Sequence, residues 1–297
     1  MNKMYECSSE KQTGRVIKNY NGYYYVDLSE PTLRECRRRG KVKHKILVGD
    51  EVEVMATDHG KGLIEAVLPR QNELRRPAVA NIDQIVMVLA AQSPDPDYFL
   101  TDKLLLTCAY HHISPLLCMN KSELQREVAQ AYCQHYTQCG YKTLAVSAHT
   151  GEGIDLLRSY LQGKITAFSG PSGVGKSSLL TLLLGKELAT GAVSEKIRRG
   201  RHTTRHAEML CMDAHTYVVD TPGFAAIELE PLKVAKLALL FPEFKPYVGQ
   251  CRFPSCVHVH EPDCAIKKAK ERGEISETRY MTYCKLLHEI KERKSFV

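Results

Sequence analysis

The stretch ITAFSGPSGVGKSSLLTLLLG runs from Ile165 to Gly185. An apolar run leads into a glycine-rich turn, and a second apolar run leaves it. The turn, Gly170, Pro171, Ser172, Gly173, Val174, Gly175, Lys176 and Ser177, fits G-x-x-x-x-G-K-[ST] without a gap. Its flanks read as a buried strand and a helix, which is the context that motif requires. Glycines there let backbone N–H groups turn inward on phosphate oxygens, helped by the positive end of the helix. Lys176 is expected to reach the β- and γ-phosphates, and the Ser177 hydroxyl to face Mg²⁺. A nucleotide-binding α/β domain is expected from this stretch alone.

Downstream, YVVDTPGF (Tyr217 to Phe224) places Asp220 at the end of a further strand. An Asp there belongs to the Mg²⁺ shell, and the Gly223 N–H is placed to meet the γ-phosphate. Between the two motifs lies RRGRHTTRH, in which Thr204 or Thr203 is a candidate for the remaining Mg²⁺ and γ-phosphate contacts.

Upstream, ISPLLC runs into MNKSEL (Met119 to Leu124). Asn-Lys-x-acid at a strand end is a guanine-reading pattern. Asn120 is expected to bond the base N7, and Lys121 to pack its stem over the ring. Glu123, one methylene longer than the usual Asp, is expected to accept from N1–H and N2–H₂. The loop VSAHTG comes after the next strand, and Ser147 and Ala148 in it are expected to supply backbone N–H to guanine O6. The order is therefore base motif, base loop, phosphate loop, the RRGRHTTRH segment and the strand-end Asp220. That is a circularly permuted order, tolerable where the original termini lie close together at the surface.

The flanking regions differ from this centre. Residues 1–76 carry β-rich runs around Asn21-Gly22, a strong hairpin signal, with further short strands in KILVGDEVEVMAT and GKGLIEAVL. Five short strands suit an all-β Greek-key barrel such as an OB-fold, a nucleic-acid-binding scaffold, and an SH3-like barrel would read much the same. A basic run from Arg34 to Lys45 is expected as its loop, beside Tyr20, Tyr23, Tyr24 and Tyr25. PRQNELRRPAVANID is expected to be a linker. Residues 77–226 read as the α/β GTPase-like domain. Residues 227–297 read as mostly helical around CRFPSCVHVHEPDC, in which Cys251, Cys256, His258 and Cys264 make a tetrahedral donor set for one structural Zn²⁺, with His260 as the substitute histidine.

The chain has 297 residues, a formal charge of +7 and eleven cysteines. A mild positive charge is compatible with nucleic acid. An odd cysteine count with no apolar leader points away from a disulfide framework and toward the cytoplasm. No apolar run is long enough to cross a membrane.

Taken together, NKSE, SA, GPSGVGKS, GRHTT and DTPG in this order, with a barrel before and C-x4-C-x-H-x5-C after, resemble the RsgA (YjeQ) family of small-ribosomal-subunit-dependent GTPases. The resemblance covers essentially the whole chain. It implies GTP hydrolysis to GDP stimulated by the small ribosomal subunit and its rRNA, and a role in late maturation of that subunit; a monomer is expected. It carries Asn120, Lys121, Ser122 and Glu123, and Gly170 to Ser178, onto GTP. It also suggests His202 for orienting the attacking water. Ordinary small GTPases use a Gln after D-x-x-G, and Phe224 stands there. Glu123 and Arg205, where an Asp and a third Thr often stand, depart from the family pattern. The competing expectations are an RNA-binding factor that uses GTP only as a clamp, and an ATPase or kinase with a fortuitous NKSE.

Overall fold

The computed structural model describes residues 11–57, 60–75, 78–185, 208–213, 215–220 and 233–294. They divide into two compact units, one of Met1–Gln84, Arg158–Phe168 and Leu180–Phe224, the other of Ile85–Leu157, Ser169–Leu179 and Ala225–Val297.

In the first unit, five strands close on themselves: β1 (Lys11–Tyr20), β2 (Tyr23–Asp27), β3 (Arg34–Arg38), β4 (Glu51–Ala56) and β5 (Gly62–Val67). β1 pairs antiparallel with β2 and with β4, β2 with β3, and β4 with β5, while β3 runs parallel to β5. The circuit β1-β2-β3-β5-β4-β1 is the five-stranded OB-fold barrel. Asn21 and Gly22 both take positive φ, 50° and 80°, the geometry of the two-residue turn that matches strand twist. Val16, Val26, Cys36, Val52, Val54 and Ile64 fill the barrel.

Two local expectations change. Lys45–Val48 is not a strand. The Leu47 N–H donates to the buried Asp50 carboxylate at 2.7 Å, and Arg70 bonds both oxygens of that carboxylate, so a side-chain-held turn replaces the ladder. The fifth strand is instead β3, inside the basic run expected as a loop. With a period of two, Cys36 points into the barrel while Arg37 lies over the Tyr23 ring. Part of that run is also paired, since Arg39 and Lys41 both hold Glu65. The expected linker contains a small antiparallel pair, β6 (Glu73–Arg75) and β7 (Ala78–Ala80). It is pinned where Asn72 Nδ2 donates to the Ile82 carbonyl and Asn72 Oδ1 accepts the Ile82 N–H.

The second unit holds β8 (Gln84–Ala90), α1 (Tyr98–Tyr110), β9 (Ser114–Asn120), α2 (Arg126–Gln138) and β10 (Lys142–Ala145), with strand order β10-β9-β8 and β9 parallel to β10. β8 is buried along its whole length, as a continuous apolar strand covered on both faces should be. In sequence there follow α3 (Ile154–Leu161), β11 (Ile165–Ser169), which belongs to the first unit up to Phe168, and α4 (Lys176–Leu184). β12 (Glu208–Asp213) and β13 (Thr216–Asp220) belong to the first unit, where β13 runs parallel to β11 and antiparallel to β12.

The C-terminal helices of the second unit are α5 (Val234–Leu237), α6 (Ala265–Glu271) and α7 (Glu277–Lys294). Tyr280, Tyr283, Leu286 and Leu287 recur at helical spacing along α7 and pack with Phe241, Phe244, Ile266 and with Leu106 of α1. Arg279 lies at the centre of this packing with a fully buried side chain. It bonds Asp102 of α1 at 2.5 Å, Glu243 at 2.6 Å and the Tyr141 hydroxyl at 3.2 Å, and it lies over the Phe241 ring. Replacing Arg279 by Ala leaves Asp102 and Glu243 buried without their cation. The expected loss of stability is about 3–5 kcal/mol, measured by urea unfolding; a loss below about 1 kcal/mol would mean that water reaches these carboxylates.

Candidate nucleotide site and metal centre

The phosphate loop is built on backbone proximity. Gly170, Gly173 and Gly175 all have positive φ, at 140°, 84° and 93°. A Cβ at Gly170 would lie 2.0 Å from the Val88 carbonyl oxygen, and one at Gly175 would lie 2.3 Å from the Asn120 Nδ2. Glycine is thus required at the first and third of these positions by space as well as by conformation. The Lys176 ammonium donates to the Gly170 and Pro171 carbonyls at 2.7 and 2.6 Å, and burial pulls its pKa down. Val174 is buried, while Ser172, Ser177 and Ser178 line the exposed side of the loop and the first turn of α4.

The expected guanine residues gather on this loop. Asn120, at the end of β9, is buried; its Nδ2 donates to the Val174 carbonyl at 2.8 Å and its Oδ1 accepts the Ala148 N–H at 3.0 Å. Its own carbonyl accepts the Ala91 N–H at 3.0 Å. An amide nitrogen carries two hydrogens, so one donor remains on Asn120 for a base. The Ala148 N–H, expected to face guanine O6, is taken up by Asn120 here. Lys121 has a positive φ of 57°, and its ammonium donates to the Ser93 carbonyl at 2.6 Å. Ser122 is buried and its N–H bonds the Val146 carbonyl. The buried Ser147 hydroxyl accepts the Thr150 N–H and closes the second base loop.

Glu123 provides the sharpest local signal. Its Oε2 is buried with no hydrogen-bond partner among the described residues. A buried carboxylate oxygen without a donor costs about 1–3 kcal/mol or more. It sits in the motif position expected to receive N1–H and N2–H₂ of guanine, and a donor pair of that kind would satisfy it.

Not every expected residue falls within the described structure. His202, Thr203, Thr204, Gly223 and Phe224 lie outside the described residues. Asp220 closes β13, but its side chain also lies outside them.

The second cluster matches its expectation closely. Cys251, Cys256, His258 and Cys264 each bring one ligand atom, all within 4.8 Å of one another. The Cys251 and Cys264 sulfurs are 3.8 Å apart, and His258 Nδ1 lies 3.4 and 3.5 Å from them. Zn–S bonds of about 2.3 Å in a tetrahedron place the sulfurs about 3.8 Å apart, so the cage has the dimensions of a metal site. His258, not the exposed His260, faces the thiols. Its positive φ of 63° turns the chain back on itself, and burial holds its imidazole below the ordinary range, in the neutral form that donates a lone pair.

Sequence reading missed the frame around this cage. The His258 N–H donates to the Cys256 sulfur. Desolvation raises the Glu261 carboxyl, but the Val257 and Val259 N–H groups outweigh it and hold its pKa at about 2. From α7, the Tyr280 and Tyr283 hydroxyls donate to the His258 and Val257 carbonyls at 2.8 and 3.0 Å. The available signal was an acid inside the cysteine-histidine loop, directly after His260, and a tyrosine pair at i, i+3.

Comparison with known proteins agrees with this geometry. The family model described as RsgA GTPase matches residues 67–230, and the one described as RsgA N-terminal domain matches residues 13–64. The chain belongs to the RsgA GTPase family. An RsgA protein of Caldanaerobacter subterraneus, described as a small ribosomal subunit biogenesis GTPase, is 45% identical over 96% of this chain and 98% of its own length. The RsgA of Agathobacter rectalis is 41% identical over 96% of this chain and its full length. Among solved structures, YloQ, described as a circularly permuted GTPase, superposes with a TM-score of 0.82 at 30% identity, covering 98% of this chain and 99% of that one. YjeQ from Thermotoga maritima gives 0.82 at 36% identity, over 95% and 99%. As an RsgA member the chain is a GTPase with an N-terminal barrel, a permuted GTPase domain and C-terminal helices around a Cys₃His cluster able to hold a metal ion. No described helix is long and apolar enough to cross a membrane.

Gly175→Ala tests the close approach in the nucleotide site. The added Cβ collides with the Asn120 amide, so the Val174 bond must break. The expected outcome is a folded protein whose GDP affinity, measured by calorimetry, falls about tenfold or more; unchanged affinity would contradict a role for the Asn120–Val174 bond in shaping the nucleotide site.

Proposed function

We propose that this GTPase binds the small ribosomal subunit, hydrolyses GTP to GDP and phosphate when the subunit stimulates it, and acts in late maturation of that subunit. The observation that carries the reading is the convergence of the phosphate loop, the NKSE strand end and the SA loop on Asn120, within a chain similar over nearly its full length to proteins described as small-subunit biogenesis GTPases.

In this reading Asn120, Lys121, Ser122 and Glu123, with Ser147 and Ala148, hold the base. Gly170 to Ser178 cradle the phosphates, and Lys176 leaves its loop carbonyls for the β- and γ-phosphate oxygens. Ser177 and Thr204 hold Mg²⁺, with Asp220 and Gly223 completing the γ-phosphate side. Mg²⁺, when bound with GTP, neutralises charge on the phosphate oxygens. Phe224 cannot orient water, so intrinsic turnover is slow and His202 orients the nucleophile. The barrel presents Arg37 against Tyr23, with the other free basic side chains of that face, to rRNA. The protein acts as a cytoplasmic monomer. Its domains run over residues 1–76, 77–226 and 227–297.

The Cys₃His cage holds one Zn²⁺, which cross-links a loop too short to build its own core. Elemental analysis should give about one zinc per chain, and Cys251→Ser should abolish it together with the cooperative unfolding of the C-terminal helices. Zinc retained at full stoichiometry in that variant would contradict the assignment.

Phosphate release from GTP, measured with and without purified small subunits and with ATP as control, tests the function. Stimulation by the small subunit, absent with ATP, is expected, and His202→Ala should keep GTP affinity while losing the stimulated rate by about 10²-fold or more. Tight GTP binding with no stimulation would favour an RNA-binding clamp instead; full stimulated turnover in His202→Ala would remove that residue from the chemistry.

A further inference from the structure

Two consecutive residues of α7 face different partners. The Tyr280 hydroxyl donates to the carbonyl of His258 in the metal loop. Arg279 donates to Asp102 of α1 and to Glu243 in the short 3-10 turn Pro242–Phe244 between α5 and α6. Asp102 also accepts the Tyr136 hydroxyl of α2 at 2.8 Å. Both α1 and α2 begin at the nucleotide loops: α2 starts three residues after Glu123, and α1 comes after the loop whose Ser93 carbonyl takes the Lys121 ammonium and whose Ala91 N–H bonds Asn120. One guanidinium therefore stands between the metal loop and the two segments that carry the base-reading residues.

The charges here are not what stability alone would select. Two carboxylates face one cation, and Asp102 Oδ2 is buried with no hydrogen-bond partner among the described residues. An apolar cluster of the same volume serves stability as well as or better than a buried ion triad. What a triad adds is geometry: the planar fork of Arg279 fixes α7 against α1 in one register.

Resting on the subunit-stimulated reading above, we propose that Arg279 is a positioning residue for GTP hydrolysis, holding α1 and α2 in register with the metal loop in the one geometry that the subunit-stimulated reaction requires. It touches neither substrate nor metal. Its effect belongs to the stimulated rate, not to nucleotide affinity.

Asp102→Leu cuts the tie while leaving Arg279 balanced by Glu243, so no unpaired charge is buried. The triple variant Asp102→Asn, Glu243→Gln, Arg279→Met removes every charge of the triad and guards against misfolding of the first. Circular dichroism and metal content establish that each is folded. Both are expected to keep the basal GTP turnover, the KM for GTP and the affinity for small subunits, while the subunit-stimulated kcat falls by about 5- to 150-fold, the usual range of coupling between sites. If the wild-type protein is stimulated and both folded variants respond as strongly, the proposal is overturned alone. If the variants lose subunit affinity in proportion to rate, Arg279 shapes the docking surface and the proposal is also overturned. If the wild-type protein shows no stimulation, the functional reading fails and takes the proposal with it.

Discussion

The nucleotide site depends on one side chain. Asn120 is buried at the end of β9 and spends its amide on two other loops, the phosphate loop through Val174 and the second base loop through Ala148. Remove those bonds and three segments from distant parts of the chain lose their common anchor. The constraint reaches outward: Gly175 must lack a Cβ because the Asn120 amide fills that space, and Gly170 must lack one because the Val88 carbonyl does. The glycine pattern of a phosphate loop is thus also a packing requirement of the strand ends beneath it.

The permuted order does not disturb this anchor, because the anchor is spatial. The base motif precedes the phosphate loop by about fifty residues of sequence, yet Asn120 and Val174 are in hydrogen-bond contact. Permutation instead changes the destination of the chain beyond Asp220. From that region it passes to α5 and the metal loop, and α7 then returns to α1 through Arg279. A GTPase in the ordinary order would not have its C-terminal helices attached at this point.

The sequence carries the site better than it carries the barrel. Motifs in which spacing is dictated by ligand chemistry, such as GPSGVGKS and C-x4-C-x-H-x5-C, are legible because few other arrangements of those residues serve the same end. The α/β alternation is legible from continuous apolar strands and amphipathic helices. Lys45–Val48 misleads because its apolar pattern is that of a strand, while the competing turn is held by Asp50 and by Arg70 twenty residues away. Arg34–Arg38 misleads for the opposite reason: four of its five residues are charged, and only Cys36 marks the inward face. Neither the Asn120 clamp nor the Arg279 triad is legible, since both are made of residues far apart in sequence. The orphaned Glu123 oxygen is foreshadowed only by its departure from Asp.

The central claim is that this cluster reads guanine, with Glu123 as the acceptor for N1–H and N2–H₂. Competition of labelled GDP by unlabelled GDP, IDP and ADP tests it most directly. IDP keeps N1–H but lacks the 2-amino group, and ADP presents an N1 lone pair to a buried carboxylate. The account predicts graded weakening, IDP by about tenfold and ADP by roughly a hundredfold or more, with the GDP–ADP difference collapsing in Glu123→Ala. Equal competition by ADP and GDP in the wild-type protein would contradict it.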